Sequence, residues 1–407
     1  VEQGEKLAPL TALGRELADA RIINVSPELG LASVQDWHGS VTQHVPLGTT
    51  LPGAAVVLDV DTGEILAMVS TPSFTREQLQ EQPEAIFQDP IDTPWLNRAI
   101  ARPYPPGSIT KALVVASAQH DGVLAPGERI ACTGHLYPNN NTRLRCWIFK
   151  RNPGVTHSMV LGTDPNAAEA LMVSCNLFFY QLGRRLGLDG MVSVYERFGL
   201  GERFGLGIGA EYPGAVGLGG DPDTLRAEDA ILMAIGQGPV VWTPLHAADA
   251  YASIARGGLR IEPRLIDHGR PSRRQSLGLP SASIEETLAG LALAVNDPQG
   301  TGHHLSFVLP DGRTRTEPIF NAPGVRVWGK TGTAQASPLV VDPDGEDGPL
   351  GREVVRKGEH SWFVALVGRD RPKYAIAVVM EYAGSGGRVS GPICNQIVHA
   401  LVAEGYL

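Results

Sequence analysis

The chain lacks the features that would place it in several large functional classes. Its 407 residues carry a net charge of −9 and no run of lysines or arginines, which argues against general nucleic-acid binding, because that needs a basic face. There is no G-x-x-x-x-G-K-[ST] loop to cradle a nucleotide phosphate, and no G-x-S-x-G elbow of an α/β-hydrolase. The longest apolar runs, such as YAIAVVM (374–380), have strand length, well short of the ~18 residues that a membrane-spanning helix needs. The opening residues VEQGEKLAPL do not read as a signal peptide. A soluble chain, or a soluble fragment, is expected.

Cysteine is scarce too. Four are too few for a disulfide scaffold. Cys175 and Cys394 sit in apolar helical contexts and are expected to pack as small hydrophobes. Cys132 and Cys146 share one polar, loop-like segment, ACTGHLYPNNNTRLRCW. There they could form a disulfide, remain free thiols, or bind zinc with His157. The spacing matches no compact metal motif, so the first two readings are preferred.

What is present is a globular composition, 43% hydrophobic and 19% charged, able to bury a sizeable core. Residues 1–50 are ambiguous: LTALGRELADARI has helical periodicity, and the rest shows no strong pattern. GAAVVLDVDTGEILAMVS (53–70) predicts two strands around a D-T-G turn. Helices are expected in ALVVASA, in NAAEALMVSCNLFFYQLGRRLGL with a break near Ser174, and in AEDAILMAIGQG, PLHAADAYASIARGG and SIEETLAGLALAVND. GVRVWGKTGTAQ, SWFVALVGR and KYAIAVVMEYA read as strands, and SGPICNQIVHALVAEGYL as a last helix. That order, a strand pair, a helical middle, strands and a final helix, implies an α+β domain whose sheet joins both ends of the sequence. The acidic insertion ASPLVVDPDGEDGPLGREVVRKGEH reads as a solvated hairpin loop, with a lid or partner contact as the sharper alternative.

One short stretch carries chemistry. In YPPGSITKALVVASA, Ser108 follows a Pro-Pro-Gly turn and looks like an N-cap. A capping box would place Glu or Gln three residues on, but Lys111 stands there. A solvated lysine fits poorly beside ALVVASA, which is apolar all round. Positions i and i+3 share a helix face, so Ser108 Oγ and Lys111 Nζ can meet. A partly dry lysine is a base toward a hydroxyl, whereas arginine keeps its proton. Only six of the 34 basic residues are lysine, and Lys111 is one of them.

S-x-x-K alone is weak, but two companions follow in order. SCN supplies Ser174 and Asn176, and GKTGTAQ supplies Lys330, Thr331, Gly332 and Thr333. In isolation Ser174 and Asn176 read as helix-end hydrogen bonders, Lys330 as a surface strand residue and Gly332 as a bulge. Together the three motifs are the signature of penicillin-binding proteins and serine β-lactamases. With flanks such as GAAVVLDVDTGEILAMVSTPSF and HSWFVALVGRDRPKYAIAVVMEYAGSGG, residues 50–407 resemble the class B penicillin-binding proteins. Among these they are most similar to the elongation-type enzyme called penicillin-binding protein 2. The resemblance implies a five-stranded antiparallel sheet packed between helices over 51–407. Residues 1–50 would then be a linker, or a truncated or reduced pedestal without its membrane anchor.

It also implies D,D-transpeptidation of peptidoglycan stem peptides without a cofactor or catalytic metal, and covalent inhibition by β-lactams. Ser108 would be the acylated nucleophile and Lys111 its base. Ser174, helped by Lys330, would pass a proton to the leaving D-Ala, and Asn176 would orient Lys111 and the substrate amide. The backbone N–H groups of Ser108 and Thr333 would form the oxyanion hole, and the Thr331 and Thr333 hydroxyls would grip the substrate carboxylate. A glycine at 332 would keep the strand clear for substrate. The implied setting is the periplasmic face of the cytoplasmic membrane, beside a membrane glycosyltransferase. Rival readings are a D,D-carboxypeptidase, a serine β-lactamase and a penicillin-sensing receptor domain. EPIFN (317–321) superficially resembles the water-activating element of a β-lactamase, but it lies too close to Lys330 to serve as one.

Overall fold

Alternation along two adjacent strands fixes the architecture. In 374–380, Ala375, Ala377 and Val379 belong to one buried cluster, and Tyr374, Ile376, Val378 and Met380 to another. Residues 362–367 divide the same way: Trp362, Val364 and Leu366 go to the first, Phe363, Ala365 and Val367 to the second. A strand apolar on both faces needs cover on both, so the sheet is the middle layer of three. The computed structural model describes residues 51–266, 269, 271–308, 313–341 and 353–407, with three short strands between 23 and 46.

The sheet strands are β1 (Gly53–Asp59), β2 (Ile65–Thr71), β3 (Arg326–Gln335), β4 (Glu359–Gly368) and β5 (Tyr374–Met380). They pair antiparallel throughout, in the order β3-β4-β5-β1-β2. The expected five-stranded antiparallel α+β sheet, uniting both ends of the domain, is what forms. Its first turn is held by Asp59, whose Oδ1 accepts from the N–H groups of Asp61 and Thr62.

The helices that matter are α1 (Lys111–His120), α2 (Ala167–Met172), α3 (Asn176–Arg197), α4 (Pro244–Ala255), α5 (Ser281–Asn296) and α6 (Ser390–Ala403). Alanine-rich α4 lies on β1, β4 and β5, α5 packs on α2 and β3, and α6 covers the other face of β4 and β5. Every residue from Lys111 to Ala118 is buried, so α1 runs through the interior as its uniformly apolar sequence requires. α3 is broken at Gly187, whose φ of 67° is non-helical.

The ambiguous N-terminal stretch contains strands, and the insertion after β3 pairs as the expected hairpin. Residues 23–26, 31–35 and 41–46 form a three-stranded antiparallel sheet where no pattern was legible. The helix expected in LTALGRELADARI lies outside the described residues. The insertion after β3 is a hairpin of Leu339–Val341 and Glu353–Arg356, anchored by Arg356 on Asp92 and on the Ile91 carbonyl; its tip, 342–352, lies outside the described residues.

Candidate active site

Ser108 is not a helix cap. It lies within a short 3-10 turn, Gly107–Thr110, that runs straight into α1, and neither helical start takes a side-chain cap bond. Its half-buried side chain is therefore free of that structural duty. The turn is clamped from several sides. Gly107 N–H donates to Gly236 O at 2.8 Å, and Tyr251 of α4 donates to Ile109 O at 2.7 Å. Trp362 Nε1 donates to Pro105 O at 3.0 Å, while Tyr104 exchanges two backbone bonds with Trp242.

Behind the turn sits buried Glu381, at the end of β5. It receives Arg98 Nε at 2.8 Å, Arg102 Nε at 3.1 Å and the Tyr104 hydroxyl at 2.8 Å. Burial opposes ionisation of this carboxyl, but the two guanidiniums overcome it and hold its pKa below the ordinary value. The same burial, together with the Glu381 charge, keeps the Tyr104 phenol protonated far beyond its usual range. Arg98, Arg102 and Tyr104 lead into the turn that carries Ser108, so this hub ties that turn to the sheet.

Lys111 is wholly buried. Its Nζ donates to Ser174 O at 3.0 Å, Ser174 Oγ at 3.0 Å and Asn176 Oδ1 at 2.7 Å. Among the described residues it has no carboxylate partner. Burial lowers its pKa from 10.5 to about 8, against the opposing pull of Cys146 and Cys175. Ser108 and Lys111 are not hydrogen-bonded to each other; the lysine instead gathers the SCN motif.

That motif is shaped by the chain break. α2 ends at Met172, α3 begins at Asn176, and Ser174 between them has φ of 51°. A left-handed serine is uncommon, and such strain concentrates at functional sites. Here the break at Ser174, expected from sequence, turns both its carbonyl and its hydroxyl onto Lys111.

β3 supplies the third motif. Lys330 is buried rather than on the surface and donates to Thr331 O at 3.1 Å. Desolvation, then the neighbouring Lys111, push its pKa well below the ordinary lysine value. Thr331 Oγ1 meets Thr301 Oγ1 at 2.8 Å, and Thr301 N–H donates to Met172 O. Thr301, in the turn after α5, was not found from sequence.

Gly332 has a packing role as well. A Cβ there would lie 2.8 Å from Trp362 Cβ and 2.9 Å from Ile109 Cγ2, so the glycine makes room for the Ser108 turn. Likewise a Cβ on Gly107, whose φ is +62°, would lie 2.7 Å from Thr333 O. The close approach of Gly107 and Thr333 brings the serine to the edge of β3. The turn that carries Ser108 and the Thr333 end of β3 are thus adjacent segments.

The cysteines change one expectation and narrow another. All four are unpaired, so of the readings left open for Cys132 and Cys146 the disulfide does not form. Cys175 is no mere packing residue, because Cys132, Cys146, Cys175 and His157 place their ligand atoms within 4.8 Å of one another, all buried. Cys146 Sγ lies 3.2 Å from His157 Nδ1 and 3.9 Å from Cys175 Sγ. Tetrahedral zinc with 2.3 Å bonds sets its sulfurs about 3.8 Å apart, so this donor set fits the ion. Burial opposes ionisation of the Cys146 thiol, but hydrogen bonds from Cys132, Cys175 and His157 overcome it and hold its pKa well below the usual range. The cluster holds the middle residue of SCN, directly behind the Lys111 contacts.

EPIFN has no part in this site. Asn321 is hydrogen-bonded to Asn395 and His399 of α6, and Glu317 pairs with Arg315.

A five-stranded sheet between helices, with a serine beside a buried lysine at the sheet's edge, defines the class: the penicillin-binding protein and serine β-lactamase-like transpeptidase fold. The chain belongs to the family of penicillin binding protein transpeptidase domains, which matches it over residues 53–399. It is 29% identical to the peptidoglycan D,D-transpeptidase MrdA of Acinetobacter baumannii over 84% of this chain and 50% of the relative. It is 28% identical to PbpA of Mycobacterium tuberculosis, over 86% of this chain and 67% of that one. A solved structure of Pseudomonas aeruginosa PBP2, in complex with WCK 5153, superposes with a TM-score of 0.66 at 26% identity, covering 86% of this chain and 73% of that one. The ceftriaxone acyl-enzyme of M. tuberculosis penicillin-binding protein A does so at 0.64 and 25%, covering 86% and 74%. The chain spans about half the length of the MrdA relatives it matches. Among the described residues no helix is long and apolar enough to cross a membrane.

Proposed function

We propose that this chain carries out peptidoglycan D,D-transpeptidation through an acyl-enzyme on Ser108, in cell-wall elongation, and is a target of β-lactams. The observation that carries the reading is the buried Lys111, its pKa lowered to about 8 and its Nζ bonded to both Ser174 and Asn176. Residues 51–407 act as the catalytic unit.

Neutral Lys111 takes the Ser108 proton as Oγ attacks the penultimate D-Ala carbonyl. The oxyanion is held by the N–H groups of Ser108 and Thr333. As the tetrahedral adduct collapses, the C–N bond breaks and the departing D-Ala nitrogen receives that proton through Ser174, which Lys111 already contacts, with Lys330 assisting. Asn176 orients Lys111 and the donor amide. Thr331, steadied by Thr301, and Thr333 hold the terminal carboxylate. An acceptor amine then attacks the ester carbonyl, gives up a proton along the same route and releases Ser108.

The relatives' names as D,D-transpeptidases and the acyl-enzyme structure of a neighbour support this reading. In EPIFN, Asn321 is held by Asn395 and His399 and Glu317 by Arg315, which speaks against a water-activating role for that segment. The inferred setting is the periplasmic face of the membrane, with a membrane glycosyltransferase supplying glycan; the PBP2 of Helicobacter pylori is known in complex with MreC. Zinc held by Cys132, Cys146, His157 and Cys175 would be structural, since four protein ligands leave no open position.

The test is a D-Ala-D-Ala-terminated donor peptide supplied with an amine acceptor, with products resolved by mass. Cross-linked peptide is expected. Hydrolysed donor alone would make the chain a D,D-carboxypeptidase, and unreacted donor together with inert penicillin would remove the enzymatic reading.

A further inference from the structure

β3 is an edge of the sheet, and an edge strand presents unpaired N–H and C=O groups to any extended chain that approaches. At the end of β3 beside Ser108 those groups are already taken. Gln237 Nε2 donates to Thr333 O at 3.1 Å, and Gln335 N–H donates to Gln237 Oε1 at 3.3 Å. One side-chain amide thus supplies the donor and acceptor that a peptide strand would offer to the same two atoms.

The backbone under this side chain is fixed. Gly236 and Gly238 have φ of +69° and +77°, values that suit glycine, and a Cβ on Gly236 would collide with the Gly107 carbonyl. Gln237 N–H donates to Leu232 O at 3.0 Å. The side chain itself is half-exposed and holds Gln335 by a long bond, so it is free to swing outward about its own torsions.

We propose that Gln237 is a placeholder for the acyl donor's backbone: an incoming ligand with a main-chain-like amide must expel it from Thr333 O and Gln335 N before Ser108 is acylated. This deepens the transpeptidase reading and rests on it. Gln237 is then a specificity-determining residue. It taxes ligands that add to the β3 edge and leaves untouched those that reach Ser108 without doing so.

The experiment compares Gln237→Ala with the unmodified chain, using a penicillin that bears an acylamino side chain and a β-lactam that has none. The variant is expected to be acylated about three- to tenfold faster by the first, as for the loss of one weak competing hydrogen bond, and within twofold of the original by the second. Gln237→Glu, which keeps the size but loses the donor to Thr333 O, should shift in the same direction. An equal fall for both ligands, meaning that Gln237 positions β3, overturns the proposal, and so does no change for either. If the unmodified chain is not acylated at all, the transpeptidase reading fails. The placeholder is then judged by amide exchange at Gln335: at least tenfold faster exchange in Gln237→Ala supports it, and equal exchange overturns it.

Discussion

Acylation should switch on with pH through the Lys111 ammonium. A lysine of ordinary pKa 10.5, brought to about 8 by burial, is neutral in about one molecule in ten at pH 7, roughly 300 times the fraction of an unperturbed side chain. The shift amounts to about 3 kcal/mol, supplied by taking a wholly buried amine out of water. The assay is the second-order rate of labelling by a fluorescent penicillin between pH 6 and 10, with the fold checked at each pH. The logarithm of the rate should rise with unit slope and level off above an apparent pKa near 8. A profile flat across that range, or one still rising at pH 10, would refute the claim that neutral Lys111 is the base. The same shift affects folding with a definite sign. Unfolded Lys111 holds its proton up to 10.5 while the folded form has lost it near 8, so this group's contribution to stability falls as pH drops from 10.5 to 8 and is constant below.

Gly332→Ala should cost about 1–3 kcal/mol in denaturant unfolding and slow acylation, because its Cβ would press on Ile109 and Trp362. A fully stable, fully active variant would show that the nucleophile turn is not seated on this glycine. Glu381→Gln should lower stability by roughly 3–5 kcal/mol by leaving buried Arg98 without its charge partner; urea unfolding of the variant measures it. The chain should bind one zinc ion, and stripping it with a chelator should lower the Tm, with Cys146→Ala abolishing both zinc and the chelator's effect. Absence of zinc from native protein purified without chelator would leave the four residues as a plain buried cluster.

Much of this was legible in the sequence because it is local or periodic. The strands of the sheet follow from alternation in GAAVVLDVDTGEILAMVS and from short apolar runs such as YAIAVVM, the buried course of α1 from the unbroken ALVVASA, and the gap between α2 and α3 from the pattern lapse at Ser174. The candidate site residues stand out as three spaced motifs, and Lys111, Ser174 and Asn176 do meet. What escaped depends on tertiary approach. Gln237 and Thr301 reach β3 across 98 and 30 positions of sequence, and no local pattern marks them beyond the glycines on either side. Cys175 was read by its helical neighbours, whereas its partners arrive from three other segments. Ser108 resembled a cap because its turn residues do, but a 3-10 entry into α1 removes the need for one. The packing of Gly332 against Trp362 and Ile109 escaped too, because it depends on the same tertiary approach.

The most direct test of the account is the mass of the protein after incubation with a penicillin, followed by peptide mapping. A single long-lived adduct on Ser108, absent from Ser108→Ala, is the predicted result. An adduct elsewhere, one that turns over within seconds as in a β-lactamase, or none at all from a folded chain would contradict it.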